Sequence, residues 1–176
     1  RLTPWSNDPV GDRSGEAIYV RDDDTGLLFG PTALPVRKAS GHYLARHGRG
    51  YSRFEHTRAD IALDLLQFVP GDEPVKVSRL RIRNLSGRTR HLTLTAYVEW
   101  VLGTSRSSTA PFVATEIDPV TGGMLARNLW GGTETRVAFT DLGGLQTAWT
   151  GNRTEFIGRN GTLERPAALA TGAKLS

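Results

Sequence analysis

Cysteine and long apolar runs are both missing from this sequence of 176 residues. Without cysteine the chain can form neither a disulfide framework nor a thiolate metal site. No apolar run approaches the roughly 20 residues that a membrane-spanning helix needs, and no signal peptide is visible. We therefore expect no direct insertion into a membrane.

Runs of like charge are missing as well. The net charge is +4, but the 22 basic residues are spread among 18 acidic ones and no block of five like charges occurs. Nucleic-acid binding relies on a clustered basic surface. The charge pattern therefore argues against a nucleic-acid partner.

Turn-forming residues are abundant, with 20 glycines and nine prolines. Turn signals recur about every ten residues, a spacing that is typical of a sandwich or barrel. We therefore predict an all-β fold of antiparallel strands, and the length suits one domain over residues 1–176. Because the sequence starts at Arg1 and not at Met, we expect a piece of a longer protein.

Alternating apolar and polar residues predict short strands at 17–21, 27–29, 43–46, 52–57, 112–117, 124–127 and 136–139. Turns are predicted at 22–26, at 118–123 and at Asn160-Gly161. The stretch from Ile61 to Val69 also fits one face of a helix. Its length and the Pro70 that follows favour a strand.

The segment 73–100 predicts one long antiparallel hairpin. Leu80 and Ile82 share one face, and Leu92 and Leu94 share another with a period of two. The two pairs can meet if the loop has an odd number of residues, and residues 85–89 supply five. The hairpin would then form the main scaffold of the core.

Parity extends this prediction along the hairpin. Val77 has the opposite parity from Leu80, which predicts a β-bulge near Ser78-Arg79. The same register places Trp100 in the core and Tyr97 on the opposite, polar face.

Motifs for metal or nucleophilic chemistry are incomplete. The four histidines, at 42, 47, 56 and 91, form no H-E-x-x-H motif. Residues 22–24 lack the spaced ligands of a calcium loop, and residues 50–54 lack the closing glycine of a nucleophile elbow. A carboxyl pair such as Glu55 with Glu99 or Asp118 can be named, but nothing in the sequence shows proximity. We predict no metal, no cofactor and no catalytic residue.

The corner RHGRGY at residues 46–51 is the most function-like element. Two glycines let the backbone turn sharply and approach a ligand, and Arg46, His47 and Tyr51 carry polar groups suited to hydroxyls or phosphate. A solvated strand corner is an equally good interpretation.

Aromatic rings can also stack on sugars, although tryptophan more often belongs to a core. The aromatic candidates are Trp5, Trp100, Trp130, Trp149, Tyr51 and Tyr97.

Several motifs, in order along the chain, resemble one enzyme family. TPWSNDP at 3–9, SGEA at 14–17 and RHGRGYS at 46–52 resemble the inverting glycoside phosphorylases of the cellobiose phosphorylase and cyclic β-1,2-glucan synthase family, formerly glycosyltransferase family 36. The segments 68–70 and 80–100 are similar to its N-terminal sandwich domain. PFV at 111–113, TEID at 115–118 and FIGRNG at 156–161 are most similar to the glucan-synthase branch.

The resemblance implies an antiparallel super-sandwich similar to galactose mutarotase, which in the family precedes an (α/α)6-barrel. That barrel carries the Asp general acid, and phosphate attacks the anomeric carbon with inversion. The implied partners are an oligosaccharide or β-glucan, the parent enzyme's barrel, and a second copy in a homodimer. The implied location is cytoplasmic, with an inner-membrane anchor elsewhere in the parent protein of the glucan-synthase branch.

The leading hypothesis is a non-catalytic, carbohydrate-associated domain of such an enzyme. In it Arg46, His47 and Tyr51 face the substrate cleft, and Trp5 is an alternative aromatic contact. Replacing Tyr51 by Ala would then weaken oligosaccharide binding without unfolding the domain.

Two other hypotheses come from different classes of protein. One is a free-standing mutarotase-like epimerase with His47 as acid and Glu55 as base. The other is a structural dimerisation or assembly module that docks through a face formed by Arg79, Arg81, Tyr97 and Glu99.

Overall fold

Antiparallel strands dominate the computed structural model, which describes residues 2–4, 14–37, 41–130, 136–170 and 173. The strands are β1 (Glu16–Asp22), β2 (Leu28–Phe29), β3 (Tyr43–Gly48), β4 (Tyr51–Arg58), β5 (Ile61–Phe68), β6 (Val77–Asn84), β7 (Leu92–Val98), β8 (Val113–Ile117), β9 (Met124–Asn128) and β10 (Ala138–Thr140). Short helices occur at α1 (Arg106–Thr109) and α2 (Arg153–Ile157), with 3-10 turns at Ala110–Phe112 and Ala167–Leu169. None of the helices in these ranges has the length and apolarity to cross a membrane. The predicted all-β antiparallel class is confirmed.

The strands form three sheets: sheet I in the order β2-β1-β7, sheet II in the order β3-β4-β5-β6, and sheet III in the order β10-β9-β8. Successive side chains of a strand point to opposite faces. In β5 this alternation puts Ile61, Leu63 and Leu65 on the inner face of sheet II, where all three are buried. Asp64 and Leu66 therefore lie on the outer face.

The main core lies between sheets I and II. Val20 and Phe29 of sheet I form one buried cluster with Ile61 and Leu63 of sheet II. Each of these side chains is almost fully removed from water, and burying one such side chain contributes about 1.5–3 kcal/mol. This cluster holds the two sheets together.

A second core covers the other face of sheet I. Tyr97 stacks on Phe156 of α2 with ring centroids 5.1 Å apart, and the hydroxyl of Tyr19 donates to the Leu163 carbonyl at 2.9 Å. Asn152 caps α2, because its side chain accepts hydrogen bonds from backbone N–H groups of the first turn. The C-terminal part of the described chain is thereby fixed to β1 and β7.

A buried ion pair closes one end of the sandwich. The side chains of Asp22 and Arg90 are 0% and 3% exposed and contact each other directly, and Arg90 also donates to the Ala59 carbonyl at 2.8 Å. Burial alone would raise the pKa of Asp22. The hydrogen bonds from Arg90 and from the Asp24 and Thr25 backbone outweigh burial and hold that pKa below its usual range.

The segment between β6 and β7 crosses from sheet II to sheet I. The Leu85 N–H donates to the Asp60 carbonyl at 2.7 Å, and the Asp23 N–H donates to the His91 carbonyl at 2.9 Å. As a result β6 pairs with β5, and β7 pairs with β1. The predicted 73–100 hairpin is therefore wrong.

The bulge predicted near Ser78-Arg79 is wrong for the same reason. Ser78 pairs with Gln67 and Arg79 with Leu66, in an uninterrupted register. The extra residue was needed only to align β6 with β7, and those strands do not pair.

Burial in β7 also differs from the prediction. Tyr97 is only 9% exposed, whereas Leu94 is 43% exposed and Ile82 of β6 is 38% exposed. Trp100 follows the end of β7 and is half-buried. The polar face of β7 is covered by α2, and the sequence of β7 alone does not reveal that cover.

Several local predictions are confirmed. Residues 61–68 form a strand and not a helix. The turn at 22–26 joins β1 to β2, and the β8–β9 hairpin closes over residues 118–123 with Ile117 opposite Met124. A turn at Asn160-Gly161 is closed by the Gly161 N–H, which donates to the Gly158 carbonyl at 3.2 Å.

Candidate functional site

The glycine-rich corner is a two-residue hairpin turn between β3 and β4. Gly48 pairs with Tyr51, which leaves Arg49 and Gly50 at the tip, and Gly50 has a φ of 77°. Such left-handed turns favour glycine because a Cβ atom would crowd the backbone. The turn fixes the faces of its neighbours: Arg46 and Tyr51 lie on the outer face of sheet II.

Four arginines on this outer face line one cavity, and we call their surface the arginine face. Arg46 lies opposite Arg53, Arg53 opposite Leu66, and Leu66 opposite Arg79, so one row crosses four strands. The next row places Arg81 opposite Asp64. A surface cavity of about 420 Å³ lies there, lined by Arg46, Tyr51, Arg53, Leu66, Phe68, Arg79 and Arg81.

Carboxylates hold two of these arginines in position. Arg53 makes a two-point contact with Asp64, with N–O distances of 2.9 and 2.7 Å, and Arg46 pairs with Glu55. The hydrogen bond from Arg53 holds the pKa of Asp64 below its usual range, and the charges of Arg79 and Arg81 act in the same direction. The Arg53 guanidinium therefore stands beside an ionised Asp64 carboxylate at neutral pH.

His47 lies on the opposite face from Arg46, because adjacent residues of a strand alternate. Its Nδ1 is 2.9 Å from the Ser52 hydroxyl, and its ring meets the edge of Phe54 at 5.9 Å between centroids. Trp5 lies outside the described residues. Of the four predicted contacts, the structure thus brings Arg46 and Tyr51 together and separates His47 from them.

A second candidate site, which we call the tryptophan cavity, lies between β7, sheet III and α2. Its volume is about 280 Å³, close to the lower end of ordinary small-molecule pockets. Trp100 and Trp149 line it, and the Trp149 side chain is 46% exposed. Its polar lining includes Glu99, Arg106, Asn152, Arg153, Thr115 and Gln146.

Glu99 organises the polar side of the tryptophan cavity. It forms ion pairs with Arg106 and with Arg153, the latter at 3.4 Å, and its carboxylate accepts a hydrogen bond from the Tyr97 hydroxyl at 3.1 Å. Burial, together with the charge of Glu99, raises the pKa of Tyr97 to about 12. Tyr97 therefore remains a neutral donor near pH 7.

The three carboxylates that the sequence offers as acid–base candidates, those of Glu55, Glu99 and Asp118, are each engaged by other side chains. Glu99 is bound by two arginines, and Glu55 lies on sheet II with Arg46 and Arg53. Hydrogen bonds from Thr121 hold the pKa of Asp118 below its usual range. Within the described ranges no group of His, Asp and Glu could hold a metal ion.

Sequence reasoning missed the tryptophan cavity. Trp149 was one of several aromatic candidates, and Trp100 was assigned to the core. Arg153 approaches Glu99 because α2 folds back beside β7, although α2 is far from Glu99 in the sequence, whereas Arg106 of α1 lies only about seven residues after Glu99. The one local signal is the tyrosine two residues before the glutamate, which donates to it.

Curated proteins of similar sequence include a glucan synthase and glycoside phosphorylases. The chain is 41% identical over 177 residues to the cyclic beta-(1,2)-glucan synthase NdvB of Rhizobium meliloti (strain 1021), covering 100% of this chain and 6% of that protein. It is 30% identical over 179 residues to an N,N'-diacetylchitobiose phosphorylase of Vibrio furnissii, covering 98% of this chain and 22% of that protein. It is 33% identical over 85 residues to a solabiose phosphorylase of Paenibacillus borealis, covering 48% and 11%.

The chain thus spans less than a quarter of the length of these relatives. The whole of it, residues 1–176, matches the supersandwich domain of glycosyl hydrolase 94. The mostly antiparallel sheets agree with that match, and the resemblance found in the sequence motifs is confirmed. This chain belongs to the glycosyl hydrolase 94 supersandwich-domain family, whose relatives include glycoside phosphorylases and a cyclic β-1,2-glucan synthase.

Proposed function

We propose that this chain is a non-catalytic carbohydrate-binding domain of a glycoside phosphorylase or cyclic β-1,2-glucan synthase. The observation that carries the proposal is the tryptophan cavity, which combines two tryptophans with charged and amide side chains. A sugar ring has an apolar face of C–H groups and a rim of hydroxyls. Aromatic walls with a few placed polar groups match both features.

The polar groups of the tryptophan cavity are held in place before any ligand binds. Glu99 fixes the guanidinium groups of Arg106 and Arg153, and the role of Asn152 as helix cap fixes the start of α2. A pre-organised site loses less side-chain entropy on binding. This supports recognition of an uncharged saccharide by hydrogen bonding.

Absence of catalysis in this chain is part of the proposal. The epimerase alternative needs His47 and Glu55 to act on one sugar ring. The register of β3 and β4 puts them on opposite faces of sheet II, and Glu55 is engaged by Arg46 and Arg53. That geometry argues against the epimerase.

Calorimetric titration of the chain with β-1,2-glucan oligosaccharides tests the proposal. We expect saturable binding, and Trp149→Ala should weaken it by about two- to tenfold, as expected for the loss of an aromatic contact of about 0.5–1.5 kcal/mol. Trp130→Ala is the matched control, since Trp130 is 66% exposed and does not line the cavity. Equal effects of the two variants would refute the assignment to this cavity.

A second assay addresses catalysis. The chain incubated with β-1,2-glucan and phosphate should release no sugar phosphate, because Glu99 in the tryptophan cavity is paired with two arginines and is a poor proton donor to a leaving group. Steady release that scales with protein concentration would show that the domain is an enzyme.

Assembly is a second role that we propose for the same domain. The partners would be the (α/α)6 catalytic domain of a cytoplasmic parent enzyme and, through it, a second copy. Support comes from exposed apolar side chains such as Leu94 and Ile82, and from the small share of each relative that the chain covers. Sedimentation of the chain with the separately produced remainder of its parent should show a complex, and sedimentation as separate species would contradict this role.

A further inference from the structure

We propose that the arginine face binds a saccharide that carries an oxyanion group, a phosphate or a carboxylate, at a site separate from the tryptophan cavity. The proposal goes beyond the uncharged carbohydrate binding described above. It uses a different sheet and different residues.

Excess positive charge is the first support. Four arginines line the cavity of about 420 Å³, and no acidic residue lines it. Glu55 and Asp64, which pair with Arg46 and Arg53, neutralise at most two of the four guanidinium groups. An oxyanion placed in this cavity meets a net positive field.

The geometry of the arginines is the second support. Asp64 holds the Arg53 guanidinium by two contacts, which orients its remaining N–H groups. Arg79 and Arg81 lie on β6, next to the strand that carries Asp64, and their side chains are exposed. Within the described ranges neither arginine forms a salt bridge. A planar guanidinium matches the oxygens of phosphate or carboxylate with two parallel hydrogen bonds.

The aromatic edge of the cavity favours a saccharide over a bare ion. Tyr51 is 48% exposed and lies opposite Phe68, and both rings line the cavity beside the arginines. A ring beside a guanidinium cluster can contact the apolar face of a sugar whose charged group reaches the arginines. Leu66 extends this apolar strip toward Arg79.

The test is calorimetric titration of the chain with glucose 1-phosphate, inorganic phosphate and a triglutamate peptide at constant ionic strength. We expect glucose 1-phosphate to bind saturably at one site and more tightly than inorganic phosphate. The double variant R79Q/R81Q should weaken glucose 1-phosphate binding by about tenfold or more, because charged hydrogen bonds are lost. R83Q is the matched control: Arg83 is exposed on the same strand and face but does not line the cavity.

Two further variants separate the parts of the proposal. Tyr51→Leu should weaken binding of glucose 1-phosphate and leave that of inorganic phosphate unchanged. Trp149→Ala should leave both unchanged, so failure at the tryptophan cavity and failure here are distinguishable. A lack of saturable glucose 1-phosphate binding, or an equal loss of its affinity in R83Q and R79Q/R81Q, would overturn the proposal. Equal affinity for glucose 1-phosphate and inorganic phosphate would overturn it as well. Tighter binding of triglutamate than of glucose 1-phosphate would also overturn it and would indicate an acidic protein partner.

Discussion

Single residues matter most where charge is buried, and Asp22 is the clearest case. Its carboxylate joins three parts of the chain that are distant in sequence: its own turn, Arg90 before β7, and, through Arg90, the Ala59 carbonyl. Such a pair adds little net stability over an apolar substitute, but removing one partner leaves the other charge buried without compensation. The pair therefore fixes the arrangement of the sheets.

Asp22→Asn should lower the free energy of unfolding by about 3–5 kcal/mol, because Arg90 keeps its charge and loses its partner. Urea denaturation followed by tryptophan fluorescence measures this. Glu16→Gln is the control, since the Lys76–Glu16 pair is partly exposed and should contribute at most about 1 kcal/mol. Similar losses in the two variants would show that the Asp22–Arg90 pair has no special role.

A second residue-scale prediction concerns His56, which is 2% exposed and stacks on Tyr43 with ring centroids 3.9 Å apart. Burial lowers the pKa of His56, and the nearby Arg58 charge adds to this, against a hydrogen bond to the His42 carbonyl. In the unfolded chain its pKa returns to about 6.5. As the pH falls, the unfolded chain therefore binds a proton at His56 before the folded protein does.

The contribution of His56 to stability should be complete above about pH 6.5 and should decrease as the pH falls below that value. Unfolding free energies measured between pH 5 and pH 8 should show this slope. His56→Phe, which keeps an aromatic ring against Tyr43, should flatten it, whereas His47→Gln should not. An unchanged slope in His56→Phe would assign the pH dependence to other groups.

At the scale of elements, the turn after α2 carries the next prediction. A Cβ atom on Gly161 would lie 1.8 Å from the Ile157 carbonyl oxygen, so this close approach requires glycine. Gly161→Ala should cost about 1–3 kcal/mol of stability and should also weaken oligosaccharide binding, because α2 presents Arg153 to the tryptophan cavity. Thermal unfolding and titration measure the two effects.

Gly87→Ala is the control for this variant, because a Cβ atom on Gly87 meets no other atom within 4 Å. It should leave stability and binding almost unchanged. Loss of stability with intact binding in Gly161→Ala would show that the tryptophan cavity does not depend on the position of α2.

The element scale also shows what the sequence can and cannot predict. Local patterns gave β5, the β1–β2 turn and the β8–β9 hairpin correctly, because each depends on neighbouring residues. Alternation tells which residues of a strand share a face, but it is the same whichever strand lies beside it. That is why alternation predicts that β6 pairs with β7. In the structure the two strands belong to different sheets, and the buried Arg90 lies in the segment between them.

The candidate sites follow the same rule. Alternation alone could have separated His47 from Arg46 and grouped Arg79 with Arg81, since these relations are local. Bringing Arg46 and Arg79 into one row required the order of four strands. Bringing Arg153 to Glu99 required the position of α2, which no pattern near either residue specifies.

For the whole molecule, the sheet order predicts where the fold is most resistant to opening. β5 has a partner strand on each side and carries the buried Ile61 and Leu63, whereas β10 has three residues at the edge of sheet III. Amides of β5 should therefore exchange with solvent most slowly and those of β10 most rapidly among the strands. Hydrogen exchange at neutral pH tests this, and equal protection of the two strands would contradict it.

The central position of β5 has a consequence for how this family can change its sequence. The strand serves two surfaces at once, with Leu63 and Leu65 in the core and Asp64 holding Arg53 outside. Deleting a single residue at the start of β5 would shift the rest of the strand by one position, which would turn Asp64 toward the core and Leu63 and Leu65 away from it. Natural variation in chain length should therefore fall in exposed turns such as Arg49-Gly50, while β5 accepts changes of side chain but not of length.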